Sequence, residues 1–150
     1  MSILSNTFYI RAFRAEDEAE VLELWGLCGL IVPHNDPRKD IRRKLGVNPE
    51  WFLVGEENGR VLATCMVGYE GHRGWINYLA VAPTRQRQRL ATRMMEKAEE
   101  LLRGAGCPKI NLQVRSTNSR VIAFYESLGF KVDAVMSLGK RLEVDGTQTV

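Results

Sequence analysis

Leu79-Ala-Val-Ala-Pro-Thr-Arg-Gln-Arg-Gln-Arg-Leu-Ala-Thr92 is the stretch on which the reading of the fold turns. It begins at the apolar end of a strand, Trp75 to Val81, and Pro83 stops that strand. A basic turn follows. From Gln88 to about Arg103 the sequence is helical, with Leu90, Met94, Ala98, Leu101 and Leu102 on one face. A helix start exposes unpaired backbone N–H groups and a partial positive charge. Arginine guanidinium groups beside it add forked donors. Such a turn suits a diphosphate; a solvated basic turn is the plainer reading, and spacing alone leaves both open. No GxGxxG follows the strand and no GxxxxGK[ST] occurs, which disfavours a dinucleotide fold and a Walker loop.

The composition agrees with an anion-binding turn set in an ordinary globular chain. The 150 residues are 45% hydrophobic and 26% charged, with a net charge of +3. That is one domain's worth, 1–150, and enough to bury a core. The charge is uneven, −2 over residues 1–60 and +5 over 61–150, and residues 84–93 hold four arginines and no acid. No apolar run is long enough to span a membrane, and Met1 to Thr7 shows no signal peptide. Three cysteines, Cys28, Cys65 and Cys107, lie apart with neither CxxC nor histidine spacing. They read as buried reduced thiols of a cytoplasmic protein, and no metal is expected.

Working outward, Phe8 to Phe13 is a first strand and Glu16 to Cys28 a helix carrying Val21, Leu24, Trp25 and Cys28 at helical spacing. Asp36 caps a second helix that begins at Pro37 and runs to about Leu45, with Ile41 and Leu45 inward. Trp51–Glu57 and Arg60–Tyr69 form a hairpin on Asn58-Gly59. After the third helix, Lys109 to Val114 alternates as a strand. Asn118 caps a helix to Leu128, Gly129 fits the left-handed position after it, and Phe130 packs back. Lys131 to Leu142 holds the last strand or strands. Strands and helices in this order give an α/β (α+β) mixed sheet with helices packed on it.

A second segment carries chemistry: Asn118-Ser-Arg-Val-Ile-Ala-Phe-Tyr-Glu-Ser-Leu-Gly-Phe130. Asn118 and Tyr125 are seven apart, on one helix face, and a tyrosine there could give or take a proton. A core tyrosine with its hydroxyl at the rim is the plainer reading. Taken together, the two segments resemble the GNAT superfamily, the Gcn5-related N-acetyltransferases. The family's V-x-P followed by [Q/R]-x-x-G-x-[G/A] appears as Val81-Ala-Pro83 and Gln86-Arg-Gln-Arg-Leu-Ala91. Its N-x-x-A-x-x-F-Y-x-x-x-G-F pattern appears as Asn118, Ala123-Phe-Tyr125 and Gly129-Phe130, with Val121 where alanine is common.

The resemblance implies a mostly antiparallel central sheet of six or seven strands, about four helices, and a splay between the fourth and fifth strands. It implies acetyl-CoA as cosubstrate, held by Leu79, Ala80 and Val81, by Gln86, Arg87, Gln88, Arg89, Leu90, Ala91 and Thr92, and by Asn118 and Tyr125. An amine, of a protein or peptide or of a small molecule, would attack the thioester directly in a ternary complex. Leu79 N–H would stabilise the oxyanion and Tyr125 would protonate the leaving thiolate. Arg89 departs from the pattern, standing where the family has its first glycine. It offers its N–H if its φ is negative, and its guanidinium either reaches a phosphate or crowds the loop.

The base is not legible, because the strand Trp75-Ile-Asn-Tyr-Leu holds no carboxylate. Glu70 and His72 are the nearest titratable residues, and a surface turn is their plainer role. Trp25, His34, Asn35 and Asp36 are the candidates to line an acceptor cleft, with Asp36 also read as a cap. A homodimer stays open. The competing readings are a non-catalytic acyl-CoA-binding sensor and a nucleic-acid binder. No aromatic platform accompanies the arginines, which argues against the latter.

Overall fold

The computed structural model describes residues 7–146. The opening stretch Met1–Asn6, read above for a leader, lies outside the described residues, as do residues 147–150. Strand β1 (Tyr9–Ala12) leads through a 3-10 turn into α1 (Glu18–Leu27), then α2 (Pro37–Leu45). Strands β2 (Phe52–Glu57), β3 (Arg60–Tyr69) and β4 (Gly74–Val81) follow, then α3 (Leu90–Gly104), β5 (Ile110–Asn111) and α4 (Ser119–Ser127). The strands lie side by side in chain order. The first three pairings are antiparallel and β4 pairs β5 in parallel.

Local sequence explains the connections. Asn58 and Gly59 take φ of 53° and 75°, the two left-handed positions of a tight hairpin turn. The Asp36 side chain accepts from the N–H groups of Arg38 and Lys39, and Pro37 fills the first helical position, as expected. At the end of α4, Phe130 N–H donates to Tyr125 O and Gly129 N–H to Glu126 O, with Gly129 at φ 95°. That is the glycine-terminated helix end its sequence announces.

Alternation along β2 and β3 sends side chains to two apolar layers. On one face Val21, Leu24 and Trp25 of α1 and Ile41 of α2 pack against Phe52, Val54, Val61, Met66 and Ala80. On the other, Leu90, Met94, Met95, Ala98 and Leu102 of α3 and Tyr125 of α4 cover Leu53, Ala63, Cys65, Val67, Ile76 and Val81.

Several expectations are corrected. Among the described residues the sheet has five strands, not six or seven. The fifth is Ile110–Asn111 rather than Lys109 to Val114, because pairing with β4 stops after Trp75↔Asn111. Lys131 to Leu142 forms no strand: it reaches no partner edge and is held by side chains alone. Leu45 is exposed, leaving Ile41 as the buried residue of α2. Helix α3 begins at Leu90 rather than Gln88, since Arg87 and Arg89 are left-handed.

Candidate active site

The centre of the site is a fault in β4. Met66 is opposite Asn77, but Thr64 is opposite Ala80, so β4 carries one residue more than β3 over this step. Tyr78 takes up the excess at φ 51°, in the left-handed region, in the middle of a strand. This is a β-bulge, and its effect on the main chain can be followed. Before it, Gly74 N–H points to β5 and donates to Lys109 O at 2.8 Å. After it, Ala82 N–H points to β3 and donates to Leu62 O at 2.8 Å. Both are even-numbered, so the extra residue reverses the phase. The main-chain groups of Leu79 and Val81 therefore turn to the side where β5 has already ended. An open edge of β4 results.

A rigid frame holds the bulge. The Tyr78 ring stacks on Trp25, its carbonyl accepts from Thr64 Oγ1 at 2.8 Å, and Thr64 Oγ1 accepts from Trp25 Nε1 at 2.9 Å. The Tyr78 hydroxyl donates to Asp40 Oδ2 at 2.6 Å. Burial, and then the Asp40 carboxylate, push the Tyr78 phenol well above its ordinary range.

The basic turn lies past the end of β4. Gln86 Nε2 and Cys28 Sγ both reach Val81 O, at 3.2 and 3.3 Å, pinning the turn to the strand. Arg85 is committed to Glu57 and Gln88. Arg87 and Arg89 both have φ of 64°. Arg89 thus adopts the backbone a glycine would, and the negative φ on which its N–H was read as available is not taken up; the cost is about 1–2 kcal/mol for a side-chain-bearing residue. The first main-chain bond of α3 runs from Arg93 N–H to Arg89 O, leaving the N–H groups of Leu90, Ala91 and Thr92 without helical partners. Left-handed turns alternating with ordinary ones gather such N–H groups into an anion-binding concavity.

Tyr125 is 8% exposed, set edge-on against Phe130 and tilted against Phe124. It lines a cavity of about 1470 Å³ that runs along β5. Burial raises its phenol well above the ordinary value, with a smaller push from Cys65. Leu79 packs against the same apolar cluster as Tyr125, although it does not line that cavity. Asn118 accepts from Val121 N–H at 3.3 Å and caps α4.

The pattern of the family described as Acetyltransferase (GNAT) family matches residues 11–130. The chain belongs to the GNAT family. An acetyltransferase of Sodalis glossinidius (strain morsitans) is 47% identical over 137 residues, 91% of this chain and 96% of the relative. An acetyltransferase of Yersinia pestis (strain Pestoides F) is 45% identical over 136 residues, with the same coverage. Among solved structures, a putative acetyltransferase from Agrobacterium tumefaciens str. C58 superposes with a TM-score of 0.73 at 21% identity, covering 89% of this chain and 99% of that one. Ard1 from Thermoplasma volcanium gives 0.72 at 21% identity, covering 85% and 84%. These two share the fold. The protein is a GNAT acetyltransferase.

The open edge of β4 sets Leu79 and Val81 beside the basic turn, and Leu79 shares an apolar cluster with Tyr125; not every residue read as an acceptor contact lies with them. Trp25 is 0% exposed and serves as the floor beneath Tyr78. Asn35 accepts from Arg141. Glu70 accepts from the N–H groups of His72 and Arg73, which holds its carboxyl below the usual range and shapes the turn. That turn lies at the Gly74 end of β4, five residues or about 16 Å of strand from Leu79, so Glu70 and His72 are not brought to the bulge. His34 stays in the loop before α2. Tyr78 and Asp40 carry no functional signal in the sequence. They are 38 residues apart, and neither the bulge nor its bond to α2 leaves a spacing signal.

Proposed function

We propose that this protein transfers an acetyl group from acetyl-CoA to an amine, by direct attack in a ternary complex. The observation that carries the reading is the bulge at Tyr78, which turns Leu79 and Val81 to an open strand edge. An extended pantetheine arm can add there as a further strand would. Val81 O is already engaged by Gln86 and Cys28, so the Leu79 groups and the Val81 N–H are the free points of attachment. The N–H groups of Leu90, Ala91 and Thr92, with the Arg87 and Arg89 side chains, fit a diphosphate in donor set and in charge. The Asn118 side chain, engaged as a cap, contributes through the placement of α4.

Acetyl-CoA supplies the activated thioester and a thiolate leaving group. The chain supplies the rest. Leu79 N–H is positioned as the donor for developing negative charge on the carbonyl oxygen. Tyr125 keeps its proton at neutral pH because burial raises its phenol, so it is available as general acid toward the departing sulfur. The acceptor is a primary amine of a peptide, a protein or a small molecule, and it loses its proton to water or to a group outside β4. The names of the curated relatives, acetyltransferases at 45–47% identity, favour catalysis over a sensor role.

Thermal unfolding with and without acetyl-CoA tests the cosubstrate. At 100 times its Kd the ligand should add about 2.7 kcal/mol, and no shift at millimolar ligand would remove acetyl-CoA from the reading. Thiol release across a panel of amines then tests transfer. Tight binding with no acceptor-dependent release would leave the sensor.

A further inference from the structure

Tyr78 and Leu79 share one peptide unit, and its two ends face opposite ways. Neither residue has a register partner on β3. The Tyr78 carbonyl is engaged all the same, because Thr64 Oγ1 of β3 donates to it at 2.8 Å. A trans peptide is planar, with its C=O and N–H directed oppositely. A carbonyl turned toward β3 therefore turns the Leu79 N–H away from β3, to the open edge. This orientation follows from the hydroxyl contact alone. It agrees with the phase reversal seen in the main-chain bonds of Gly74 and Ala82.

The bonds behind that peptide can run in one direction only. Trp25 Nε1 is a donor and nothing else, and it donates to Thr64 Oγ1 at 2.9 Å. Thr64 Oγ1 has a single proton, and the carbonyl oxygen can only accept. Trp25 N–H, Thr64 O–H and the Tyr78–Leu79 peptide thus line up head to tail. Thr64 and Trp25 are both 0% exposed, so water does not compete for them. Bonds in such a chain polarise one another, and a low-dielectric interior strengthens them. A carbonyl that accepts a bond draws electron density from its amide nitrogen, which makes the N–H a stronger donor.

We propose that Thr64 is a positioning residue for acetyl transfer: its hydroxyl, oriented by Trp25, fixes and polarises the Tyr78–Leu79 peptide so that the Leu79 N–H is aimed at the developing oxyanion. The role of Thr64 rests on the acetyl-transfer reading, in which Leu79 N–H is that donor. Thr64 acts through the peptide and not by contact with the thioester. A donor held in place beforehand costs no reorganisation when charge develops. The Asp40 bond holds the ring of Tyr78 and the Thr64 bond holds its peptide, so the two have separate consequences.

Substitutions of Thr64 separate this role from plain packing. The single-turnover rate of thiol release, at saturating acetyl-CoA and amine, should follow donor strength. Thr64→Ser should keep most of the rate and Thr64→Cys less. Thr64→Val should lose about tenfold, a fraction of the roughly 10²–10³ that removing an oxyanion donor outright costs. The Kd of acetyl-CoA should hardly move in any of them. A packing role ranks the variants the other way, because Val keeps the branched shape and Ser does not. A Val variant as fast as the Ser variant overturns the proposal. If the Val variant folds poorly, Ser and Cys still decide, being close in size and unequal as donors, and a Cys variant as fast as Ser overturns it.

A second readout needs no turnover. The Leu79 amide nitrogen resonance should move upfield in Thr64→Val and Thr64→Cys and stay in place in Thr64→Ser, since an amide nitrogen responds to bonding at its own carbonyl. An unmoved resonance in the Val and Cys variants overturns the proposal. A wild type that acetylates no amine counts against acetyl transfer itself, and the Leu79 resonance then decides the action of Thr64 on the peptide.

Discussion

The Tyr78 hydroxyl donates to Asp40 Oδ2 at 2.6 Å, and this bond ties α2 to the bulge in β4. Asp40 is in turn held by Arg43 at 2.9 Å, and Arg43 by Asp145. A left-handed tyrosine inside a strand is strained and persists only where its surroundings over-determine it. Here the stack on Trp25, the Thr64 bond to the carbonyl and the Asp40 bond to the hydroxyl fix the ring at both ends.

Tyr78→Phe should therefore destabilise the protein by about 1.5–3 kcal/mol, the range for losing a hydrogen bond to a charged group. Asp40→Asn should cost about the same, and the double variant little more than either alone. Urea unfolding of the four proteins measures the coupling. Additive losses would show that the bond does not brace the bulge.

The elements legible in the sequence are those whose signals are local. Asp36-Pro37, Asn58-Gly59 and Gly129-Phe130 state their caps and turns in adjacent residues, and all three form as read. The basic turn and Tyr125 were legible because strand, turn and helix follow one another without interruption. Tyr78 was not, since a bulge is a mismatch of register between two strands and β4 alone reads as a plain apolar strand. The fate of Lys131 to Leu142 was illegible for the opposite reason. Its alternation is that of a strand, but whether an edge is available to it depends on the rest of the molecule.

Tyr125→Phe removes a proton donor and little else, because the ring keeps its contacts with Phe124 and Phe130. With a working acceptor, kcat should fall by something like 10²-fold, the low end for acid–base groups. The Kd of acetyl-CoA should hardly move. The raised phenol predicts no loss of kcat from this residue between pH 7 and 9. Undiminished turnover in the Phe variant would take Tyr125 out of the mechanism.

Arg89→Gly separates the backbone of the turn from its charge. Glycine accepts φ 64° without the side-chain penalty, so stability should hold or rise by up to about 1 kcal/mol. Losing the guanidinium should weaken acetyl-CoA binding by about three- to tenfold at low salt, and by less at high salt, as screening predicts. Calorimetric titration at two ionic strengths reads both numbers. Tighter binding by the glycine variant would mean that Arg89 crowds the loop.

Alkaline pH should unfold the protein through three groups buried in their neutral forms. Burial pushes the Cys65 thiol up from 9.0 to about 12, and raises the Tyr78 and Tyr125 phenols above their ordinary 10.0. A group whose pKa is higher in the folded state binds its proton more tightly there. Its contribution is complete below the unfolded pKa and is lost as pH rises toward the folded one. Stability should therefore be level to about pH 8.5 and fall steeply from about pH 9 to 12, the cysteine acting first. Cys65→Ala removes one of the three, so its stability should start lower, from the lost sulfur, and fall less steeply between pH 9 and 10. Urea unfolding at half-unit steps measures both slopes, and parallel curves for the two proteins would show that the Cys65 thiol does not contribute to the alkaline limit.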